Sequence, residues 1–243
     1  MNFEKSWIVA KKDFSVFRKK KTMIYSLLIF PVGLAFALPL IALRLMQKAG
    51  AAHYVVGITF LNAFSFYYMI LPGILLPTFA AYTIVGEKIE KSLEPLLATP
   101  ITDQEMLFGK ALAAFIPIIV ATYVGATIYM IFADELTHNL LGYFFYPNWS
   151  IAIILLLLVP LVCIACLELN VIVSSKVNDL RSVALLDTLI IVPAVVIYVS
   201  FEIGLLPFEE SYLLIISACF FAADIVLYYL SRLAFNREEI FTS

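Results

Sequence analysis

Charged side chains are the scarcest feature of this chain. Asp, Glu, Lys and Arg supply 14% of its 243 residues, and hydrophobic residues 63%. Soluble domains run about 25% charged and about 45–50% apolar, so a water-soluble globular domain is excluded. With a net charge of −2, no basic surface remains for nucleic acid. Histidine is nearly absent, and His53 and His138 stand far apart in expected outer loops. No nucleophile motif accompanies them, so there is no catalytic constellation and no enzyme activity is expected of the chain. Gly109-Lys110 is not a phosphate loop, because G-x-x-x-x-G-K-[ST] fails both before and after the pair. Cysteine is sparse, and Cys163 and Cys166 form a C-x-x-C inside a continuous apolar run. A metal site needs further ligands, so they read as small hydrophobes, and no metal or cofactor is assigned to the chain.

What the sequence has in abundance is long apolar runs. Six segments, approximately 22–45, 62–86, 107–132, 149–174, 182–204 and 211–233, are each long enough to cross a hydrocarbon core of about 30 Å. The expected fold is all-α: a polytopic bundle of six transmembrane helices, read as one transmembrane domain over residues 1–243. It begins with a basic amphipathic segment, 1–21, and ends in a tail, 234–243. In the first segment Phe3, Trp7, Ala10, Phe14 and Phe17 share a helical face, while Lys5, Lys12 and Lys19 cluster on another. That pattern describes a helix lying in the membrane interface among lipids. The next apolar run is too long for a secretory h-region of about 7–15 residues, so it is expected to remain as a span. Among the Lys and Arg residues only Arg44 and Lys48 fall on one side of the spans. The positive-inside rule therefore places both termini and the loop near residues 86–106 in the cytoplasm of a cell-membrane protein.

Outer loops are short. The one over 133–149, with Asp134, Glu135, His138 and an aromatic run, reads as a shallow hairpin at the outer surface. Prolines interrupt every span but the last, which kinks helices and frees carbonyls for other donors. Gly33 with Ala37, Ala121 with Gly125, and Ala218 with Ala222 are small residues four apart, suited to close helix contacts.

Residues 86–110, GEKIEKSLEPLLATPITDQEMLFGK, form the longest polar interruption that itself looks ordered. Ile89, Leu93, Leu96 and Leu97 fall at helical spacing, opposite Glu87, Glu90, Lys91 and Glu94. After Thr99-Pro100, Thr102 and Glu105 have capping-box spacing, with Ile101 and Met106 placed for a hydrophobic staple. Periodicity alone fits either a capped turn between membrane helices or an element that docks a soluble partner.

The run EKIEKSLEPLLATP followed by EMLFGK resembles the loop after the second span in the type 2 permease family of ABC transporters. The matching positions are Glu87, Glu90, Leu93, Glu94, Leu96, Leu97, Thr99, Pro100, Glu105, Gly109 and Lys110. Lys91 stands where that family usually has Gly, and Ser92 where it has Thr. The resemblance implies the membrane-spanning permease subunit of an ATP-driven exporter. Two copies of a separate ABC ATPase would carry ATP and Mg, and a second permease copy would complete a homo- or heterodimer. Leu93, Leu96 and Leu97 would anchor the loop helix in a groove of the ATPase. Residues 1–21 would then form a connecting helix that also touches the ATPase.

Acidic residues within the spans are the other candidates: Asp224 near the middle of the last, Glu168 and Asp187 toward cytoplasmic ends. A charge at mid-membrane costs about 2.5–3.5 kcal/mol on insertion scales, so such groups face protein or water. Two roles fit Asp224: proton or cation handling, or a structural hydrogen bond to a tyrosine hydroxyl or Asn170. The rivals to the exporter are accordingly an ATP-independent ion- or proton-coupled transporter or channel, and a membrane assembly factor.

Overall fold

Apolar residues all around its circumference, rather than along one stripe, set one helix apart from the rest. That helix, α3 (His53–Ile89), has Leu61, Phe66, Tyr68, Met69, Leu76 and Phe79 essentially inaccessible, and they point in different directions around its axis. A helix that is hydrophobic all round belongs at the centre of a bundle. Around it stand α2 (Lys21–Lys48), α4 (Asp103–Leu141), α5 (Trp149–Ser174), α6 (Leu180–Asp187) and α7 (Ile191–Glu202), each packed on α3. The first helix, α1 (Phe3–Lys19), lies mainly against α4, and the last, α8 (Glu210–Ala234), against α5. This computed structural model describes residues 3–89, 101–174, 177, 179–187, 189, 191–202, 205 and 208–234. No strand occurs among the described residues.

Among the described residues, five helices are long and apolar enough to cross a membrane: Lys21–Lys48, His53–Thr83, Gln104–Leu141, Trp149–Ser174 and Glu210–Leu233. The expected fifth crossing at 182–204 differs, because α6 and α7 divide it. Asp179 starts α6 by accepting the Ser182 amide at 2.9 Å and the Ser182 hydroxyl at 2.8 Å. The serine hydroxyl, foremost among its partners, holds this exposed carboxyl below the ordinary aspartate range. Val183 then packs onto Ala81 of α3. Pro193 falls in the first turn of α7, where a missing amide breaks no helical bond. A hydropathy window sees one apolar run; cap and proline make two helices of it.

At its C-terminal end α4 runs past the expected hairpin start to Leu141, where Gly142 closes it in the left-handed region at φ 81°. Asp134 and His138 therefore sit on a helix, not in a loop. The loop folds back on them: Asp134 accepts the Phe145 amide at 2.9 Å and the Tyr146 amide at 3.1 Å. The buried Tyr146 and Tyr129 hydroxyls, 3.0 Å apart, both reach the Leu61 carbonyl of α3. Gly125 permits close contact as its spacing implied, since a Cβ there would meet Pro31 of α2 at 2.6 Å. The other two small-residue pairs do not pack: Gly33, Ala37, Ala218 and Ala222 face outward.

Within α5 the residues Ile154–Leu158 form a π-helical turn just before Pro160. In that register the Leu155 carbonyl looks for the amide of residue 160, which proline lacks. The Tyr123 hydroxyl of α4 supplies the hydrogen bond instead, at 2.8 Å. Tyr123→Phe should cost about 0.6–1.7 kcal/mol, the range for interhelical hydrogen bonds in membranes. A thermal melt in nanodiscs reads that loss; an unchanged midpoint would show that the carbonyl finds another donor.

Candidate functional site

The polar stretch singled out in the sequence is flanked by two helices whose described parts form a corner with α1. One flank, α3, continues as helix to Ile89. The other, α4, begins with the capping box that the spacing predicts. The Glu105 amide donates to Thr102 Oγ1 at 3.3 Å, and the Thr102 amide donates to the Glu105 carboxylate at 3.1 Å. Two otherwise orphaned amides are thereby satisfied, so the helix restarts at a defined point.

One turn further along, the Gly-Lys pair has two separate jobs. A Cβ on Gly109 would fall 2.5 Å from the Ser6 carbonyl oxygen and 2.8 Å from Val9 Cβ, so glycine is what lets α1 lie against α4. Lys110 then reaches across the corner. Its ammonium donates to the Thr83 carbonyl of α3 and lies 3.8 Å from the Asp13 carboxylate of α1. Both side chains of this ion pair are almost wholly buried. Phe17 stacks edge-on against Phe79, with centroids 5.2 Å apart. Lys20 sits 3.3 Å over the ring of Tyr82. Three helices are thus tied together where the polar stretch leaves and re-enters the bundle.

This arrangement defines the side of α1 that packs on protein. The buried residues are Ser6, Val9, Ala10, Asp13 and Phe17, a sector rotated by roughly 60° from the aromatic arc toward the lysines. Phe3 and Trp7 remain exposed, in contact with Phe108 and Phe14 respectively, and Phe14 is half-buried. The helix therefore packs on protein through Ser6, Val9, Ala10, Asp13 and Phe17 and turns Phe3 and Trp7 outward.

Beside the corner lies a cavity of about 560 Å³ between α3, α4, α5 and the C-terminal part of α8. Glu168 lines it together with Lys110 and Arg232, and the neighbouring α8 carries the buried Asp224. Among the described residues, Glu168 Oε2 and both Asp224 carboxylate oxygens are buried without a hydrogen-bond partner. The structural hydrogen bond considered for Asp224, to a tyrosine or to Asn170, is therefore not made among these residues.

The sequence model of a family described as ABC-2 family transporter protein matches residues 7–208. The chain belongs to the ABC-2 transporter family. It is an ABC-2 permease, a multi-pass membrane component of transport, and the family works in general with an ABC ATPase. Comparison with curated proteins gives no match. In this permease the matched stretch contains Asp13, Lys110 and Glu168 but ends before α8, which carries Asp224.

The expected site residues divide accordingly. Glu105 is placed in the capping box, and Glu168 and Asp224 lie on α5 and α8, which pack on one another. Glu90, Leu93, Glu94, Leu96, Leu97, Thr99 and Pro100 lie outside the described residues, as do the side chains of Glu87 and Asp187. Asp13 and Thr83 were not legible as site residues. The only available signal was an acid seven residues after Ser6 on a helix otherwise rich in lysine.

Proposed function

We propose that this ABC-2 permease is the spanning subunit of an ATP-driven exporter, one transmembrane domain moved by ATPase chains bound at its cytoplasmic face. ATP and Mg bind those ATPases, two copies of them, and a second permease, identical or related, completes the assembly. Both termini and residues 86–106 face the cytoplasm in this reading. Five long helices and the divided α6–α7 pair make six crossings, and α1 lies at the interface with Phe3 and Trp7 toward lipid. The observation that carries it is continuity. The most buried helix, α3, runs without interruption to the polar stretch, and α4 returns from it through a capped start clamped to α3 and α1. A push on residues 90–100 is thereby delivered to the centre of the bundle rather than dissipated in a slack loop. Closure of the ATPases shifts the permease between two states only through contacts that differ between them, and this corner is placed to make such contacts.

Glu94→Lys and Leu96→Asp test the docking. Losing a buried apolar anchor should cost about 2 kcal/mol or more, roughly thirtyfold in affinity for the ATPase. ATP-dependent transport in proteoliposomes should fall with it, while membrane insertion and helical content stay unchanged. Full transport by both variants would remove the docking reading. An ATP-independent transporter is separated by co-purification: the exporter brings down a P-loop ATPase from its native membrane, the rival does not.

A further inference from the structure

The cavity beside the corner has a chemistry that docking an ATPase leaves unused. Its volume of about 560 Å³ lies within the roughly 300–1,000 Å³ usual for small-molecule pockets. Most of its wall is apolar, with Leu107, Phe108 and Phe115 from α4 facing Ile164 and Leu167 from α5. It stays open because α8 packs on α5, whereas α4 packs chiefly on α1, α2 and α3. The polar groups are unequally provided for. Lys110 is already engaged by Asp13 and the Thr83 carbonyl, and Arg232 is exposed on the last turn of α8. Glu168, by contrast, presents a carboxyl oxygen that is buried and unpartnered among the described residues. Asp224, on the neighbouring α8 but outside the cavity lining, is 94% buried, with neither oxygen hydrogen-bonded among those residues. Buried carboxyl oxygens without partners on two packed helices of a membrane protein are costly, and such groups mark a functional position.

We propose that this cavity binds a lipophilic organic cation, its apolar body between α4 and α5 and its charge against Glu168, with Asp224 reinforcing the field. A neutral apolar ligand leaves the Glu168 carboxyl without a counter-charge, and an anion brings it a like charge. That the ligand is cargo rests on the exporter reading; that the site binds it does not.

The test uses the full-length permease in nanodiscs without any ATPase. Radiolabelled tetraphenylphosphonium is the probe, and tetraphenylborate is its counterpart of the same shape and opposite charge. Saturable binding is expected for the cation and not for the anion. Glu168→Gln should weaken it about tenfold, and Asp224→Asn several-fold, with unchanged melting temperature. Ile164→Trp fills the cavity while leaving both carboxyl groups in place, and should abolish binding. Equal binding of the two probes, no saturable binding, or wild-type affinity in all three variants would each overturn the proposal. A permease that binds the cation yet never associates with an ATPase keeps the site and loses the exporter. One that couples to its ATPase but binds no cation loses only the site.

Discussion

Asp13→Ala should unseat the N-terminal helix. The Asp13–Lys110 pair is buried from both sides, so removing the acid leaves a buried ammonium without that counter-charge. Breaking a buried pair in this one-sided way costs about 3–5 kcal/mol, far more than the pair itself is worth against an apolar replacement. The same logic predicts the rescue. Asp13→Ala combined with Lys110→Met leaves no buried charge and should recover most of the loss. The readouts are thermal unfolding in nanodiscs and the rate of tryptic cleavage at Lys11 and Lys12, which rises when α1 leaves α4. A single variant as stable and as resistant as wild type would show that the pair is not a clamp. A double variant no better than the single one would show that the loss came from elsewhere.

The parts of this fold that sequence discloses are those governed by local periodicity and local hydrogen bonds. Long apolar runs betray crossings because the bilayer demands about twenty apolar residues in a row. The capping box at Thr102 and Glu105 is legible because both partners lie within one turn. The division of the fifth run was harder, although Asp179, Ser182 and Pro193 each carry a start signal. Mean hydropathy outvoted them, being blind to caps. The Asp13–Lys110 contact was not legible at all, because nothing in the sequence near either residue specifies a partner so far along the chain. The placing of Glu168 and Asp224 on neighbouring helices has the same origin: each is visible as an acid in a span, but only the fold packs α8 on α5. Resemblance contributed where physics was silent. It marked Gly109 and Lys110 as belonging to a pattern, and the structure supplies the reason for that pattern in the approach of α1.

That reason makes a sharp comparison between two glycines. Gly109→Val should be strongly disruptive, because its Cβ would be forced to within 2.5 Å of a backbone carbonyl that cannot rotate away as a side-chain tip could. Overpacking of this kind costs about 1–3 kcal/mol when neighbours can shift, and here the neighbour is the backbone of α1 itself. Gly33→Val, in an equally apolar helix, meets nothing within 4 Å and should be neutral. The pair separates a lost helix contact from the general effect of adding a branched side chain to a membrane helix. For the permease the two should part further. With α1 displaced, the start of α4 loses its outer support beside the polar stretch, so ATP-driven transport should fall while insertion persists. Were Gly109→Val to transport as well as Gly33→Val, α1 would be only a membrane anchor, and force would pass from the cytoplasmic side through α3 and α4 alone.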